Sequence, residues 1–370
     1  MSESKKTKKL VTFGEVMMRL QTQSGRRFRQ SLPGSMDVIF GGAEANVAAS
    51  YALLGGKASF VTALPENTIA DACIGALRGL GVDVDGILRT EKGRLGIYFA
   101  EAGANQRPSN VIYDRDYSAI SMARGSSYKW SNIFKGAEWF HTTGITPSLS
   151  RISAEATQVS IEKAKKLGCT VSCDLNFRKK LWRWEQGTDP NTLANKVMAK
   201  LLPFVDVLIA NEEDVGDVLG IKAGNLDTAS GNIDVSKYPG IAKQVADKYP
   251  NIQKIAFTLR ESISATHNNW GCMLYDCKSG KAVFAPQSGG NYVPYQITDI
   301  VDRIGGGDSF GAGLIYASMD EELNKSDESI ANFAVAASCL CHSIYGDFNY
   351  SSKAEILNLA RGSTSGRIVR

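Results

Sequence analysis

Short apolar runs alternate along this chain with longer segments in which apolar residues recur every three or four positions. The short runs predict buried strands, and the longer segments predict helices that pack against them. The predicted strands are residues 10–14, 58–63, 137–141, 169–174, 205–210 and 254–258. The predicted helices are residues 41–54, 69–80, 150–167, 191–202, 212–219, 238–248, 308–319 and 353–361, the first entered through a glycine turn. This alternation favours an α/β fold with a mostly parallel central sheet covered on both faces.

Two stretches, about 15–40 and 93–117, do not follow that alternation. They contain half-polar segments typical of extended hairpins, such as Met17–Gln21 and Gly96–Ala100. We expect them to form a small antiparallel sheet that stands off the main one. The prediction is therefore a single domain over 9–363 with a β appendage, preceded by a disordered polar tail over 1–8.

Composition narrows the possible classes of function. The formal net charge of the 370 residues is +4, part of it in the polar tail, and no basic stripe or stacking module accompanies it, which argues against nucleic-acid binding. The sequence contains no apolar run of membrane-spanning length and no signal-peptide core, so we expect no membrane association. The odd number of cysteines without a CxxC pair predicts reduced thiols in a cytoplasmic protein.

The run DRIGGGD at 302–308 is the strongest candidate for chemistry, since three glycines precede an aspartate that opens a predicted helix. Glycines bring backbone N–H groups close to a ligand, and a helix N-terminus attracts anions. A Walker A loop would need a lysine where Ala312 stands, and a dinucleotide fingerprint would need glycine in place of Phe310. The simpler alternative is a tight turn in which Asp308 caps a helix.

A second glycine turn enters a helix near the N-terminus, at GGAEANVA (41–48). Asn46 falls in the first turns of that helix, where a carboxamide is a poor helix former but a good reader of hydroxyl groups. A tightly packed small-residue helix is the alternative for this segment.

Together the two runs resemble the ribokinase-like (phosphofructokinase-B type) carbohydrate kinases, which carry GG-x-x-x-N-x-A early and D-T-x-G-A-G-D late in the chain. The resemblance implies a three-layer α/β/α fold in which the antiparallel appendage is a lid. It also implies that Asp308 removes the proton from a sugar hydroxyl, while the backbone amides of Gly305, Gly306 and Gly307 hold the transferred phosphoryl group. Arg303 and Gly306 depart from the family's usual threonine and alanine.

ATP and Mg²⁺ are the implied cofactors. The family's N-x-x-E motif is matched by residues 211–214, with Asp214 in place of glutamate, so the resemblance implies that Asp214 acts on the metal through water, without direct protein ligands. The alternative is the acidic first turn of a helix capped by Asn211. The resemblance further implies that Asn176, Arg178, Asn211, Thr258, Arg260, Gly305 and Gly307 approach the nucleotide. The family usually has glycine at the position of Arg260.

Two arginines suggest an anionic sugar, because a guanidinium matches a carboxylate or a phosphate. Arg115 follows the second hairpin and Arg178 follows a strand; a surface ion pair is the alternative for either. The segments DLNFRKKLW, FHTTGITP and GDFN are similar to those of the 2-keto-3-deoxygluconate kinases within the family. The resemblance implies the following substrate-side residues: Gly34, Gly41, Gly42, Asn46, Tyr98, Tyr113, Arg115, Arg178, Asp308 and Asp347.

The sequence thus predicts an ATP-dependent kinase that phosphorylates the terminal hydroxyl of 2-keto-3-deoxygluconate, giving 2-keto-3-deoxy-6-phosphogluconate. A kinase for fructose or a phosphorylated ketohexose remains the alternative. A nucleoside kinase is disfavoured because nucleosides lack an anionic group, and a sugar-binding or regulatory relative is disfavoured by the intact Asp308 and glycine loop. In relatives, lids of this kind often pair between subunits, so by analogy with the family we expect a homodimer or a higher homo-oligomer.

Overall fold

The structure is a computed structural model that describes residues 8–23, 25–221 and 234–363. The predicted disordered tail lies, except for its last residue, outside these ranges. The strands in the described part are β1 (Lys9–Phe13), β2 (Met17–Gln21), β3 (Asp37–Gly41), β4 (Lys57–Val61), β5 (Ala63–Pro65), β6 (Val82–Asp83), β7 (Leu88–Thr90), β8 (Gly96–Glu101), β9 (Asn110–Asp114), β10 (Ala137–Thr143), β11 (Thr170–Asp174), β12 (Val207–Ala210), β13 (Lys254–Ser264), β14 (His267–Asp276), β15 (Lys281–Ala285), β16 (Gln287–Ser288), β17 (Asn291–Tyr292) and β18 (Tyr295–Ile297).

Helices cover the strands, and several begin at the side-chain caps that the sequence supplies. Asn67 accepts a hydrogen bond from the Ala70 backbone, and Ser150 caps the next long helix. The α-helices are α1 (Phe28–Ser31), α2 (Ala43–Leu53), α3 (Thr68–Gly79), α4 (Ala119–Met122), α5 (Trp130–Ile133), α6 (Ile145–Ser148), α7 (Arg151–Lys166), α8 (Pro190–Leu201), α9 (Glu212–Asp214), α10 (Tyr238–Lys248), α11 (Gly306–Met319), α12 (Asp327–Cys341) and α13 (Lys353–Ala360). Short 3₁₀ turns occupy Gly125–Ser127, Leu202–Phe204 and Val235–Lys237.

The central sheet has the strand order β15-β14-β13-β12-β11-β10-β1-β4-β6, and β18 also pairs with β14. The strands from β13 to β6 run parallel, while β14 is antiparallel to its neighbours. Consecutive residues of β1 pack in different apolar clusters, Val11 in one and Leu10 in the other. Since alternate side chains of a strand point to opposite faces, the two clusters lie on the two sides of the sheet. The predicted three-layer arrangement with a mostly parallel sheet is confirmed.

All predicted strands and helices form, but three details differ. Strand β13 continues to Ser264 instead of ending at 258, and the antiparallel strands that follow it were not predicted. These strands mix polar and apolar residues although β14 is mostly buried between β13 and β15, so periodicity alone does not separate them from loop. The predicted helix 212–219 is a short α-helical turn followed by a π-helix, Val215–Leu219. Helix α11 begins at Gly306, two residues before Asp308.

The small second sheet has the order β3-β2-β8-β9. Each hairpin pair, β2–β3 and β8–β9, is antiparallel as expected, and the two pairs join along parallel β2 and β8. Arg19 and Tyr98 lie opposite one another on the buried inner face. The outer face carries apolar side chains, including Val38 and Ile112, which are 58% and 50% exposed. We call this sheet the lid. Among the described residues, no helix has the length and apolar character needed to cross a membrane.

Candidate active site

A cavity of about 840 Å³ lies where the parallel strands end, between the lid and the start of α11. Asp174 closes β11, Ala210 closes β12, and both line it. Ligands of open α/β sheets bind at this carboxyl edge. The predicted site residues that line the cavity are Gly42, Asn46, Tyr98, Tyr113, Arg115, Asn176, Arg178, Asn211, Asp214, Thr258, Arg260, Gly305, Gly307, Asp308 and Asp347.

Asp308 and Asn46 meet across the cavity from two different helices. Asn46 Nδ2 donates to Asp308 Oδ2 at 2.7 Å, and Asn46 Oδ1 accepts from the Gly42 backbone at 3.1 Å, so the carboxamide is fixed at both ends. Burial raises the pKa of Asp308 to about 6, although the Asn46 hydrogen bond acts in the opposite direction. A carboxylate with this pKa is mostly ionised at neutral pH and remains basic enough to accept a proton.

The three glycines before Asp308 have different surroundings. Gly305 adopts φ +85°, and a Cβ there would lie 2.3 Å from the Asp347 carbonyl oxygen. Gly306 faces the buried ring of His342 instead of the cavity. A Cβ on Gly307 would meet nothing within 4 Å. Because α11 begins here, its unpaired backbone N–H groups lie at the cavity, a position suited to an anion.

The lid brings two tyrosines to the cavity, and a buried polar network fixes one of them. Tyr98 donates its hydroxyl hydrogen to Asp347 Oδ2 at 2.8 Å, and Arg19 Nη1 donates to Asp347 Oδ1 at 2.9 Å. Arg19 Nη2 also donates to Asp302 at 2.6 Å, so this lid arginine holds the loop that leads into α11. Burial raises the pKa of Asp347. Both carboxylate oxygens of this predicted substrate residue are therefore already bonded to protein groups.

Arg115 forms an ion pair, but the pair is buried and not on the surface, as the alternative interpretation of this arginine required. Its Nε donates to Glu15 Oε2 at 2.7 Å, and the guanidinium lies 5.3 Å from the centre of the Tyr113 ring. Both side chains of the pair are less than 5% exposed. Arg115 still lines the cavity, but Glu15 offsets its charge.

Arg178 lies among carboxylates at the floor of the cavity. Burial raises the pKa of Asp174, and raises that of Asp214 to about 7, while the charge of Arg178 partly opposes both shifts. Asp214 Oδ1 accepts from the Phe177 backbone at 3.1 Å, which ties the segment before Arg178 to α9. Asn176 in the same segment has φ +38°, a left-handed conformation uncommon outside glycine and frequent at functional sites.

Both interpretations of the segment 211–214 hold for Asn211. Its side chain caps α9 by accepting from the Asp214 backbone N–H at 2.7 Å, and it also lines the cavity.

Three predicted residues, Gly34, Gly41 and Gly306, do not line the cavity. Gly34 is exposed in the loop before β3. Gly41 lies against the Asp347 carboxylate, where a Cβ would come within 2.1 Å of Oδ2, so it makes room for a site residue without facing the cavity.

Sequence reasoning missed Arg19, Glu15 and Glu44. Glu44, inside the first glycine motif, is buried and accepts three hydrogen bonds on Oε1, from the Thr143 backbone and hydroxyl and from the Thr146 hydroxyl. Burial raises its pKa to about 7. The alternation of polar residues in 17–21 was the available signal for Arg19, because it places that side chain on one face of a strand with the apolar Met17.

No group of three or more His, Cys, Asp or Glu side chains in the described ranges is arranged to hold a metal ion. The carboxylates of Asp174 and Asp214 line the cavity without forming a cage of protein ligands, which suits a Mg²⁺ ion that keeps several water ligands and is bound mainly through substrate phosphates. The donor set therefore fits the water-mediated role predicted for Asp214.

Comparison with known proteins adds one family match and three individual relatives. Residues 7–352 match the family described as pfkB family carbohydrate kinase. A 2-dehydro-3-deoxygalactonokinase of Haloferax volcanii is 31% identical over 361 residues, 97% of this chain and 99% of that protein. The crystal structure of a 2-dehydro-3-deoxygluconokinase from Thermotoga maritima has a TM-score of 0.85 and 46% identity, covering 96% of this chain and 100% of that one. Fructokinase-2 of Solanum habrochaites is 26% identical over 336 residues, 90% of this chain and 89% of that protein.

Proposed function

The chain belongs to the pfkB family of carbohydrate kinases, and we propose that it transfers the γ-phosphoryl group of ATP to the terminal hydroxyl of 2-keto-3-deoxygluconate (2-dehydro-3-deoxygluconate). The observation that carries the choice of sugar acid is the full-length similarity to the Thermotoga maritima enzyme at 46% identity. The observation that carries the reaction is the Asn46–Asp308 contact beside the N-terminus of α11.

In the proposed reaction, Asp308 accepts the proton of the sugar hydroxyl. Asn46 occupies Oδ2 of Asp308, which leaves Oδ1 to face the hydroxyl group. As the O–H bond breaks, the sugar oxygen forms a bond to the γ-phosphorus, and the bond from that phosphorus to the β-phosphate oxygen breaks to release ADP. The backbone N–H groups at 305–307 stabilise the negative charge that develops on the transferred group.

ATP and Mg²⁺ are part of this proposal. The N-terminus of α11, with Arg178, Arg260 and Arg303 on the same cavity, fits a polyphosphate chain. When bound, Mg²⁺ would neutralise phosphate charge, and Asp214 would help to hold it through water. On the sugar side, Tyr98 and Tyr113 supply hydroxyl groups and ring faces, and Arg115 supplies a cation whose position Glu15 sets.

A coupled assay for ADP release tests the proposal with a panel of acceptors: 2-keto-3-deoxygluconate, its galactonate epimer, gluconate, fructose and fructose 6-phosphate. We expect kcat/KM to be highest for one of the two 2-keto-3-deoxy sugar acids. Fructose as the best acceptor would contradict the substrate assignment and support the alternative that the 26% identity to Fructokinase-2 keeps open. Binding of a sugar without any turnover would favour a non-catalytic relative.

We also propose that the outer face of the lid joins two copies of the chain. Val38 and Ile112 on this face are half-exposed, and neighbouring Leu20 and Phe99 extend the apolar surface. An apolar sheet face of this kind is typical of an interface, and a second copy presents the same surface. Sedimentation velocity tests this: Ile112→Asp should give a monomer, while Ile263→Asp, at an equally exposed position outside the lid, should not change the mass.

A cytoplasmic location is also part of the proposal. All seven cysteines are free thiols, five of them buried, which supports a reducing compartment such as the cytoplasm.

A further inference from the structure

Arg19 lies on the inner face of the lid, between the lid and the loop that leads into α11. Its side chain is 1% exposed and does not line the cavity, so it is not in a position to contact a bound substrate. Its Nη1 and Nη2 groups donate to different carboxylates, Asp347 at 2.9 Å and Asp302 at 2.6 Å. Its Nε donates to Gln21 Oε1 at 2.8 Å, which fixes the guanidinium from within β2. One cation therefore connects the lid with two segments beside the cavity.

The first carboxylate, Asp302, opens the glycine loop (residues 302–307). Its Oδ1 accepts from the Ile304 backbone at 3.1 Å, and its Oδ2 accepts from the Gly346 backbone at 3.2 Å as well as from Arg19. The Ile304 side chain also packs against apolar residues of the lid. The bond from Arg19 therefore helps to set where the backbone N–H groups of this loop lie relative to the lid.

The second carboxylate, Asp347, connects Arg19 with Tyr98 at the cavity wall. Tyr98 donates to Asp347 Oδ2 while Arg19 donates to Oδ1, so two side chains of the lid share one carboxylate. The backbone of Asp347 also lies against the glycine loop, since a Cβ on Gly305 would come within 2.3 Å of the Asp347 carbonyl oxygen. A displacement of Arg19 would therefore move Tyr98 and the glycine loop together.

The burial of these three charges points to a role in positioning. The side chains of Arg19, Asp302 and Asp347 are 1%, 5% and 2% exposed. Replacing a buried ion pair with apolar side chains of similar volume is often neutral or stabilising, so such a pair is weak evidence for stability. It does oppose displacement, because a shift of one partner leaves a buried charge unpaired. Phosphoryl transfer depends mainly on the placement of its reacting groups and on charge stabilisation.

We propose that Arg19 is a positioning residue for phosphoryl transfer: it holds the lid, which carries sugar-side residues, in register with the glycine loop, which receives the transferred group. The proposal rests on the proposed kinase function. Asp302 carries the effect to the glycine loop and therefore to the transfer step. Asp347 carries it to Tyr98 and therefore to the binding of the sugar.

Steady-state kinetics of Arg19→Lys tests this role. Lysine keeps the charge, but its single ammonium group does not reproduce the forked donation to two carboxylates. We expect kcat to fall about 10- to 100-fold, as for a misplaced reacting group, and the KM for the sugar acid to rise about 3- to 10-fold, as for a lost hydrogen bond. The affinity for Mg·ADP, measured by calorimetry, should remain that of the wild type. Arg94→Lys is the matched control, because Arg94 bonds Asp114 within the lid segment and does not line the cavity; this variant should keep the wild-type kcat.

A double-mutant cycle with Asp302→Asn separates positioning from a loss of stability. Asparagine at 302 keeps an oxygen that can accept from the Ile304 backbone and removes the charge that pairs with Arg19. The kcat of the double variant should be no lower than that of the more impaired single variant, because both changes break one link. Asp302→Asn also tests the link by itself if Arg19→Lys does not fold, since its kcat should fall about 10- to 100-fold with the KM for the sugar acid unchanged.

Unchanged kcat in a folded Arg19→Lys protein would overturn the proposal even if its melting temperature falls, because Arg19 would then only stabilise the fold. Losses of kcat that multiply in the double variant would also overturn it. If both variants impair transfer to fructose but no sugar acid is phosphorylated, the role of Arg19 stands and the substrate assignment fails. A wild-type protein that phosphorylates no acceptor would contradict both the role of Arg19 and the kinase function.

Discussion

Arg115 and Glu15 form a buried ion pair at the base of the lid, with Arg115 Nε 2.7 Å from Glu15 Oε2. Glu15 uses this one oxygen for both of its bonds to Arg115, and its Oε1 is buried without a hydrogen-bond partner among the described residues. The arginine expected to recognise an anionic sugar therefore already has a counter-charge. The pair fixes the position of the guanidinium and reduces its net attraction for a carboxylate.

Replacing Glu15 with glutamine should separate these two effects. Glutamine keeps an oxygen that can accept from Arg115 but removes the negative charge. We expect the KM for the sugar acid to fall about 3- to 10-fold, since the local potential becomes more positive, with the KM for ATP unchanged. The free energy of unfolding should fall by about 1–3 kcal/mol, because a buried cation loses its partner. Steady-state kinetics and urea denaturation measure both, and a higher KM for the sugar acid would contradict the charge argument.

Replacing Asp308 with asparagine should remove the general base. We expect kcat to fall by about 10²- to 10⁴-fold, the usual contribution of a general base, while ADP binding by calorimetry remains near that of the wild type. Asn46→Ala should lower kcat less, because Asp308 keeps its carboxylate and loses only the group that orients it. Near-normal turnover by Asp308→Asn would rule out the assigned role.

The pH dependence of activity should follow the ionisation of Asp308. Burial raises its pKa to about 6, and the base must be deprotonated to act. We therefore expect kcat/KM to be constant above about pH 7 and to fall towards tenfold per pH unit below about pH 6. Initial rates in a constant-ionic-strength buffer series measure this, with the coupling enzymes kept in excess at each pH. A profile that stays level down to pH 5 would show that another group accepts the proton.

Glu44 should make stability depend on pH. Its pKa is raised to about 7 in the folded protein from a usual value of 4.5, so the folded state binds its proton more tightly than the unfolded state. Its contribution is fully present below about pH 4.5 and is lost as pH rises through 7, up to about 3 kcal/mol. Glu44→Gln removes this titration and keeps an oxygen for Thr143 and Thr146. The difference between the melting temperature of the variant and that of the wild type should therefore become more favourable to the variant as pH rises from 5 to 8. If the two melting temperatures change with pH in parallel, the raised pKa of Glu44 is contradicted.

Gly305 should not tolerate a side chain. An alanine there would need φ +85° and would place its Cβ 2.3 Å from the Asp347 carbonyl oxygen, so both strain and a backbone clash oppose it. Gly136→Ala is the matched control, since Gly136 has φ +72° but nothing within 4 Å of the added carbon. We expect Gly136→Ala to cost about 1–2 kcal/mol of unfolding free energy and Gly305→Ala clearly more, with loss of activity. Equal melting temperatures for the two variants would contradict the close packing of the 305 loop.

The sequence predicted the alternating elements well because each is determined by local periodicity. The buried strand at 10–14 and the helix at 238–248 carry strong apolar patterns and formed as expected. The hairpin of β13 and β14 was missed because its exposed half contains few apolar residues, and its pairing depends on residues that follow a turn. Motif reasoning correctly brought Asp308 and Asn46 to one cavity, although 262 positions separate them.

The sequence by itself determined the layered α/β fold, the two glycine turns and the residue types that carry the chemistry, because these follow from periodicity and from motifs of adjacent residues. Only the tertiary structure decided which charges remain available to a ligand. Within the described ranges, Arg115 and Arg19 form buried ion pairs with Glu15, Asp302 and Asp347, while Arg303 donates to the neutral Asn268. An ion pair depends on the distance between side chains from remote parts of the chain, and the packing of the lid, the hairpin and α11 sets those distances.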